Sequence, residues 1–221
     1  MIKVNRSPDA PSALAKGTYQ ANDVQEQLCK DFSDKCYLCE CNAVTAKAEI
    51  EHLIPQKVDK TKILDWNNLF LSCYNCNSIK KQKKYDKNII DCCRDEPEKL
   101  LNQTFVVIKD KIEPFIEPIE ASSAKKTAAA KKTAELLNDC FGNKNSYFRE
   151  KALAEKVDKF REVMKILFDT LNDWNEKHND DDLNALKGML DRKHLFAGFT
   201  RSYVRAHISD YPELEDDVKL D

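Results

Sequence analysis

Cys36-Tyr37-Leu38-Cys39 and Cys73-Tyr74-Asn75-Cys76 frame the stretch that decides the fold, and inside them runs Glu49-Ile50-Glu51-His52-Leu53-Ile54-Pro55. Two Cys-x-x-Cys pairs supply the four thiolates of a tetrahedral zinc site, and four thiolates leave no open position for water. A zinc ion held by Cys36, Cys39, Cys73 and Cys76 is therefore structural, not the catalyst. Free thiols or a redox pair are the alternatives; two pairs of matched spacing around a patterned insert favour zinc. Residues 40–72 make that insert longer than the loop of an ordinary zinc ribbon, so the clamp closes on a segment with chemistry of its own. Cys29, Cys41, Cys92, Cys93 and Cys140 read as packing or surface thiols, with Cys41 close enough to the first pair to compete as a ligand.

Upstream of the clamp, Val24, Leu28 and Phe32 stand four apart and predict a short amphipathic helix over 24–35. Inside it, 47–54 reads as a strand ended by Pro55, and 67–72 as its partner. Residues 73–85 are polar, basic and free of Gly and Pro, which suits a helix. Beyond the clamp, 104–108 and 112–116 read as a hairpin turning at Asp110 and Lys111, with Pro114 and Pro118 holding its second arm at an edge. Ser122 to Lys132 is an exposed linker or a polar helix, feeding Leu136, Leu137, Cys140 and Phe141, with Gly142 as the stop. Leu153, Val157, Phe160, Met164, Leu167, Leu171 and Trp174 then alternate by fours and threes, the seam of a long helix. A helix lying on the protein's own core is the first reading, since Val163, Ile166 and Phe168 widen the seam; a partner-docking helix is the second. The acid-rich end, from Asp210 through Glu213, Glu215, Asp216 and Asp217 to Asp221, reads as a solvated tail. We therefore expect two domains, 1–119 and 120–221, the second mainly helical.

Composition narrows the functional classes. In 221 residues, 36 Lys and Arg against 38 Asp and Glu exclude wholesale coating of nucleic acid but leave room for a local basic site. No apolar run reaches the roughly 18 residues of a membrane span, and the polar start carries no signal-peptide core, so a cytoplasmic protein without a membrane partner is expected. An odd cysteine count in such a chain fits reduced thiols or metal ligands better than disulfides.

Glu51-His52 with Pro55 three later, Asn68-Leu69 ahead of the second cysteine pair, and Asn77 directly after it together resemble the zinc-stapled branch of the HNH endonuclease family, over Cys36 to about Lys84. That resemblance implies an α+β fold: a ββα-metal (His-Me finger) core stapled by the four-cysteine zinc site, followed by a helical half. It implies His52 as general base, suited by an unperturbed pKa of about 6.5. Glu51 and Asn77 become oxygen ligands for a catalytic Mg²⁺ or Mn²⁺, and Asn68 the residue that ties the loop and orients His52. Many relatives carry Asp at the position of Glu51, so Glu49, on the same strand face, is the fallback ligand. Outside the motif a lone His in a polar segment would be structural, which is the reading for His178, His194 and His207. Lys80, Lys81, Lys83 and Lys84 follow Asn77 and offer a nucleic-acid-binding strip, or else a solvated helix face.

Over roughly residues 1 to 90, beginning Met1-Ile2-Lys3-Val4 with Pro8 and Pro11, the layout is also similar to the PtuB-type HNH subunits of Septu and retron-associated anti-phage systems. This implies an ABC-type ATPase partner of the PtuA kind, docked on the helical half, and DNA as the favoured substrate. RNA including tRNA, a stand-alone HNH nuclease, and a non-catalytic zinc-containing adaptor are the alternatives. The chain contains no phosphate-binding Gly-rich loop, so any nucleotide dependence would come from the partner.

Overall fold

A computed structural model describes residues 1–142 and 147–220. After the short α1 (Ser12–Ala15) comes α2 (Asn22–Phe32), which buries Val24, Leu28 and Phe32 along one side. It ends where Ser33 and Asp34 both adopt left-handed backbone, turning the chain into the first cysteine pair. β1 (Ala48–His52) and β2 (Leu69–Cys73) pair antiparallel, with Glu51 opposite Phe70 and His52 opposite Leu69. β2 is buried throughout, and α3 (Tyr74–Lys80) follows it directly. Strand, strand and helix thus stand in the expected order. The helix is shorter than the composition of 73–85 suggests, because Lys80 turns inward and Tyr85 is anchored elsewhere, its hydroxyl donating to Asp139 at 2.6 Å.

β3 (Leu101–Ile108) and β4 (Lys111–Pro118) form a second antiparallel pair. The turn residues are Lys109 and Asp110, both at positive φ, one position earlier than expected; two consecutive left-handed residues match the right-handed twist of the strands they join. The sheet has two strands only, so Pro114 costs no ladder bond that a neighbour would need.

The stretch read as linker or polar helix is helical: α4 spans Ala124–Gly142 and buries Ala130, Thr133, Ala134, Leu136, Leu137, Cys140 and Phe141. Residues 143–146 lie outside the described residues, so the stop expected at Gly142 marks only the last residue described there. α5 (Tyr147–Lys177) carries the heptad seam, and all seven seam residues from Leu153 to Trp174 are buried in the protein's own core. This corrects the partner-docking reading of that face. Phe160 meets Phe196 and Phe199 edge-on, and Phe168 packs on Phe105 and Tyr203, whereas Ile166 faces solvent. α6 (Asp180–Leu190), α7 (Ala197–Ala206) and α8 (Glu215–Val218) complete the chain.

One continuous cluster of buried side chains runs from the zinc-pair region through α4, α5 and α7. A second link between the halves is ionic. Glu98, 4% exposed, accepts from Arg192 at 3.2 Å and from Arg201 and Arg205 at 2.7 Å each. Over its described residues, 210–220, the acid-rich end is not a solvated tail; Asp221 lies outside them. Tyr211, Leu214 and Val218 recur on one side and are buried, and the Arg205 guanidinium caps the Val218 carbonyl at 3.1 Å. Counting charges alone hid those three apolar anchors. Among the described residues no helix is long and apolar enough to cross a membrane.

Candidate active site and metal centre

The first cysteine pair sits in a tight turn, and the second spans the junction of β2 and α3, with Cys73 ending the strand and Cys76 inside the helix. The Cys36 amide donates to Cys41 O and the Glu40 amide to Cys36 O, both at 2.9 Å, while the Tyr37 amide, also at 2.9 Å, joins Leu71 O and lashes the first turn to β2. The Sγ atoms of Cys36, Cys39, Cys73 and Cys76 all lie within 4.8 Å of one another, and all four residues are buried. Cys39 and Cys73 are 3.9 Å apart; two sulfurs bonded to one tetrahedral zinc at about 2.3 Å stand about 3.8 Å apart. The donor set therefore fits zinc. Cys41 Sγ is 3.2 Å from Cys39 Sγ, closer than two sulfurs on one zinc, so it is a hydrogen-bonding neighbour of the cluster.

Glu49 and Glu51, two apart on β1, share a strand face, and Asn77 and Lys80, three apart on α3, share a helix face. The two faces meet. Asn77 Nδ2 donates to Glu49, and Lys80 Nζ lies 3.4 Å from Glu51 and donates to Leu53 O at 3.1 Å. The carboxylate touching Asn77 is thus that of Glu49, and Glu51 is matched to Lys80. Burial pushes the Glu51 carboxyl up and the Lys80 ammonium down, each against the pull of the other's charge. With its amide nitrogen committed to Glu49, Asn77 presents a buried Oδ1 that has no hydrogen-bond partner. An orphaned carbonyl oxygen next to the Glu49 carboxylate, with Glu51 lining the same cleft, fits a hard divalent cation.

His52, at the end of β1, lines the same cleft. Its Nε2 stands 3.0 Å from the Ile63 carbonyl, and its Nδ1 lies 3.3 Å from Gln56 Nε2. A carbonyl only accepts, so Nε2 carries the proton and Nδ1 the lone pair. Gln56 also donates to the Tyr19 hydroxyl at 3.1 Å, and the Tyr19 ring meets His52 edge-on at 4.8 Å. Burial pulls the His52 pKa below its ordinary value, with the Lys80 charge acting in the same direction and the Ile63 carbonyl opposing them. Asn68 holds the loop that delivers Ile63. Its Oδ1 accepts the Ile54 amide at 2.7 Å, and its Nδ2 donates to the carbonyls of Ile54 and Lys62 at 3.0 Å each.

Glu49, Glu51, His52, Asn77 and Lys80 line a cleft of about 850 Å³ that Tyr19, Gln20, Gln25, Gln56 and Lys57 also bound, whereas Asn68 acts from behind it. Of the four lysines read as a nucleic-acid strip, only Lys81 lines it from an exposed position, 3.8 Å from Glu49. Lys80 is fully buried beneath Glu51, and Lys84 is held by Asp139 at 2.7 Å and Glu135 at 3.2 Å, so the four do not form one solvent-facing strip. Lys83 is exposed outside the cleft. His178, His194 and His207 lie in the helical half, the last two on neighbouring carbonyls.

Motif and geometry converge on one segment. Residues 36–83 match the HNH endonuclease family. The HNH match spans both cysteine pairs, both glutamates, His52, Asn68, Asn77 and Lys80, and an HNH endonuclease domain supports a nuclease that uses a divalent metal and takes nucleic acid as substrate. It covers under a quarter of the chain. No curated protein matches the chain. Beside the HNH motif, sequence reasoning missed Tyr19 and Gln56. Gln56 lies only four residues past His52, a usable signal, but Tyr19 arrives from a loop ahead of α2 with nothing in the sequence to announce it.

Proposed function

We propose that the protein is a metal-dependent endonuclease that hydrolyses phosphodiester bonds, with His52 as general base. The observation that carries this is the ring of His52: Nε2–H fixed on the Ile63 carbonyl leaves Nδ1 as the nitrogen able to take a proton from water. Asn68 serves the reaction by holding that carbonyl in place. Asn77 Oδ1, with Glu51 and Glu49, would hold a Mg²⁺ or Mn²⁺ ion, whose chemistry is to stabilise charge on the phosphate and on the departing oxygen. Lys81 and Lys57 offer exposed cations along the cleft for the flanking phosphates. Gln56 occupies the His52 lone pair and gives way to the attacking water.

In its finer form the reading is a DNA-cutting effector of a Septu-like anti-phage complex with an ABC-type ATPase subunit. Its support is the resemblance over residues 1 to 90 and the lack of a nucleotide-binding loop in this chain. With the seam of α5 buried, an ATPase would dock on some other face of the helical half. Truncation at residue 120 is a poor test of docking, since it would open the shared core; exposed charge reversals on α4 and α5 serve instead.

The test is cleavage of plasmid DNA and of total tRNA with Mg²⁺ or Mn²⁺, with and without the ATPase, comparing the wild type with His52→Ala. Cleavage lost in the variant supports the nuclease and names its substrate. If zinc-loaded protein cuts neither nucleic acid under any condition, the adaptor reading replaces it.

A further inference from the structure

Three lysines of the described chain are buried: Lys35, Lys80 and Lys156. Lys35 has Glu40 at 3.9 Å, and Lys80 has Glu51 at 3.4 Å. Lys156, 6% exposed on α5, has no carboxylate within ion-pair distance among the described residues. Its Nζ instead donates to the Cys140 carbonyl at 2.9 Å and to Cys76 Sγ at 3.5 Å, and stands 5.4 Å from the Phe141 ring centroid. One carbonyl and one ring face do not neutralise a buried ammonium, and a buried charge is tolerated only when it is paired and hydrogen-bonded. Neutral thiols would leave Lys156 unpaired. Four thiolates around a Zn²⁺ ion carry a net charge of minus two, which is the anion this lysine lacks.

We propose that Lys156 is the charge partner of the zinc–thiolate centre: its ammonium donates to the Cys76 sulfur, so that retaining zinc and seating the helical half on the HNH domain are one event. The inference rests on the four-cysteine fit to zinc and is independent of whether the protein cuts nucleic acid. Outer partners of metal ligands hold those ligands in place and tune the charge that they carry. Here the outer partner comes from a helix 80 positions along the chain. Cys76 also precedes Asn77, so this contact fixes the turn of α3 that presents the orphaned amide oxygen.

The test uses the full-length, zinc-loaded chain. Zinc transfer to a chromophoric chelator is timed for the wild type, Lys156→Met and Lys156→Arg. Removing an outer partner typically costs about 10- to 100-fold in metal affinity, so Lys156→Met should lose zinc about tenfold faster or more, and Lys156→Arg, which keeps the charge, should stay closer to wild type. Equal retention by Lys156→Met and the wild type would overturn the proposal. Should Lys156→Met fail to fold, the wild-type chain decides: Lys156 resists amine acylation with zinc bound and becomes reactive once zinc is chelated. Unchanged protection of Lys156 after complete zinc removal would overturn the proposal equally.

Discussion

His52 owes its proposed role to two neighbours on opposite sides of one ring. The Ile63 carbonyl fixes which nitrogen bears hydrogen, and Gln56 marks where the lone pair points. Because burial lowers its pKa, the ring stays unprotonated to a lower pH than an exposed histidine. A base works only unprotonated, so cleavage should fall as pH drops through that pKa, and the acid limb of the kcat/KM profile should lie below about 6.5. A limb centred above about 7 would contradict this. The motif residues were legible in the sequence because their types and order are local. The pairing of Asn77 with Glu49, and of Glu51 with Lys80, was not, since it depends on how β1 and α3 are rotated against each other.

Among the elements, α7 is placed by a close approach that needs glycine. The Gly198 amide donates to Glu40 at 2.9 Å, and a Cβ at that position would overlap the Gln103 and Glu40 side chains. Those groups are held, so Gly198→Ala should destabilise the protein by about 1–3 kcal/mol, read as a lower midpoint in denaturant unfolding at unchanged slope. A midpoint equal to wild type would show that α7 shifts freely. Strand, helix and hairpin positions were legible from periodicity and turn chemistry. The end of α3 at Lys80 was not: the sequence contains no breaker there, and tertiary contacts of Lys80 and Tyr85 redirect the chain.

Across the whole molecule, the segment carrying the HNH match and the helical half share a core, and Glu98 ties the chain ahead of α4 to the helical half by charge. Glu98 is the carboxylate facing three arginines, so Glu98→Ala would strand the buried charge of Arg201 and remove the shared partner of the partly exposed Arg192 and Arg205. Loss of one partner from a buried ion pair costs about 3–5 kcal/mol, and thermal unfolding of Glu98→Ala should report a loss of that order. A change within error would mean that water replaces the carboxylate. The link between halves was illegible in sequence, because Glu98 and its arginines are about a hundred positions apart in an otherwise charge-balanced chain.

Whether His52 acts as a base is open to a chemical test: single-turnover cleavage by His52→Ala in Mg²⁺, with and without added imidazole. The rate should drop by about 10²- to 10⁴-fold and recover in part when imidazole takes the place of the missing ring. Cleavage by His52→Ala at the wild-type rate would contradict a base at this position.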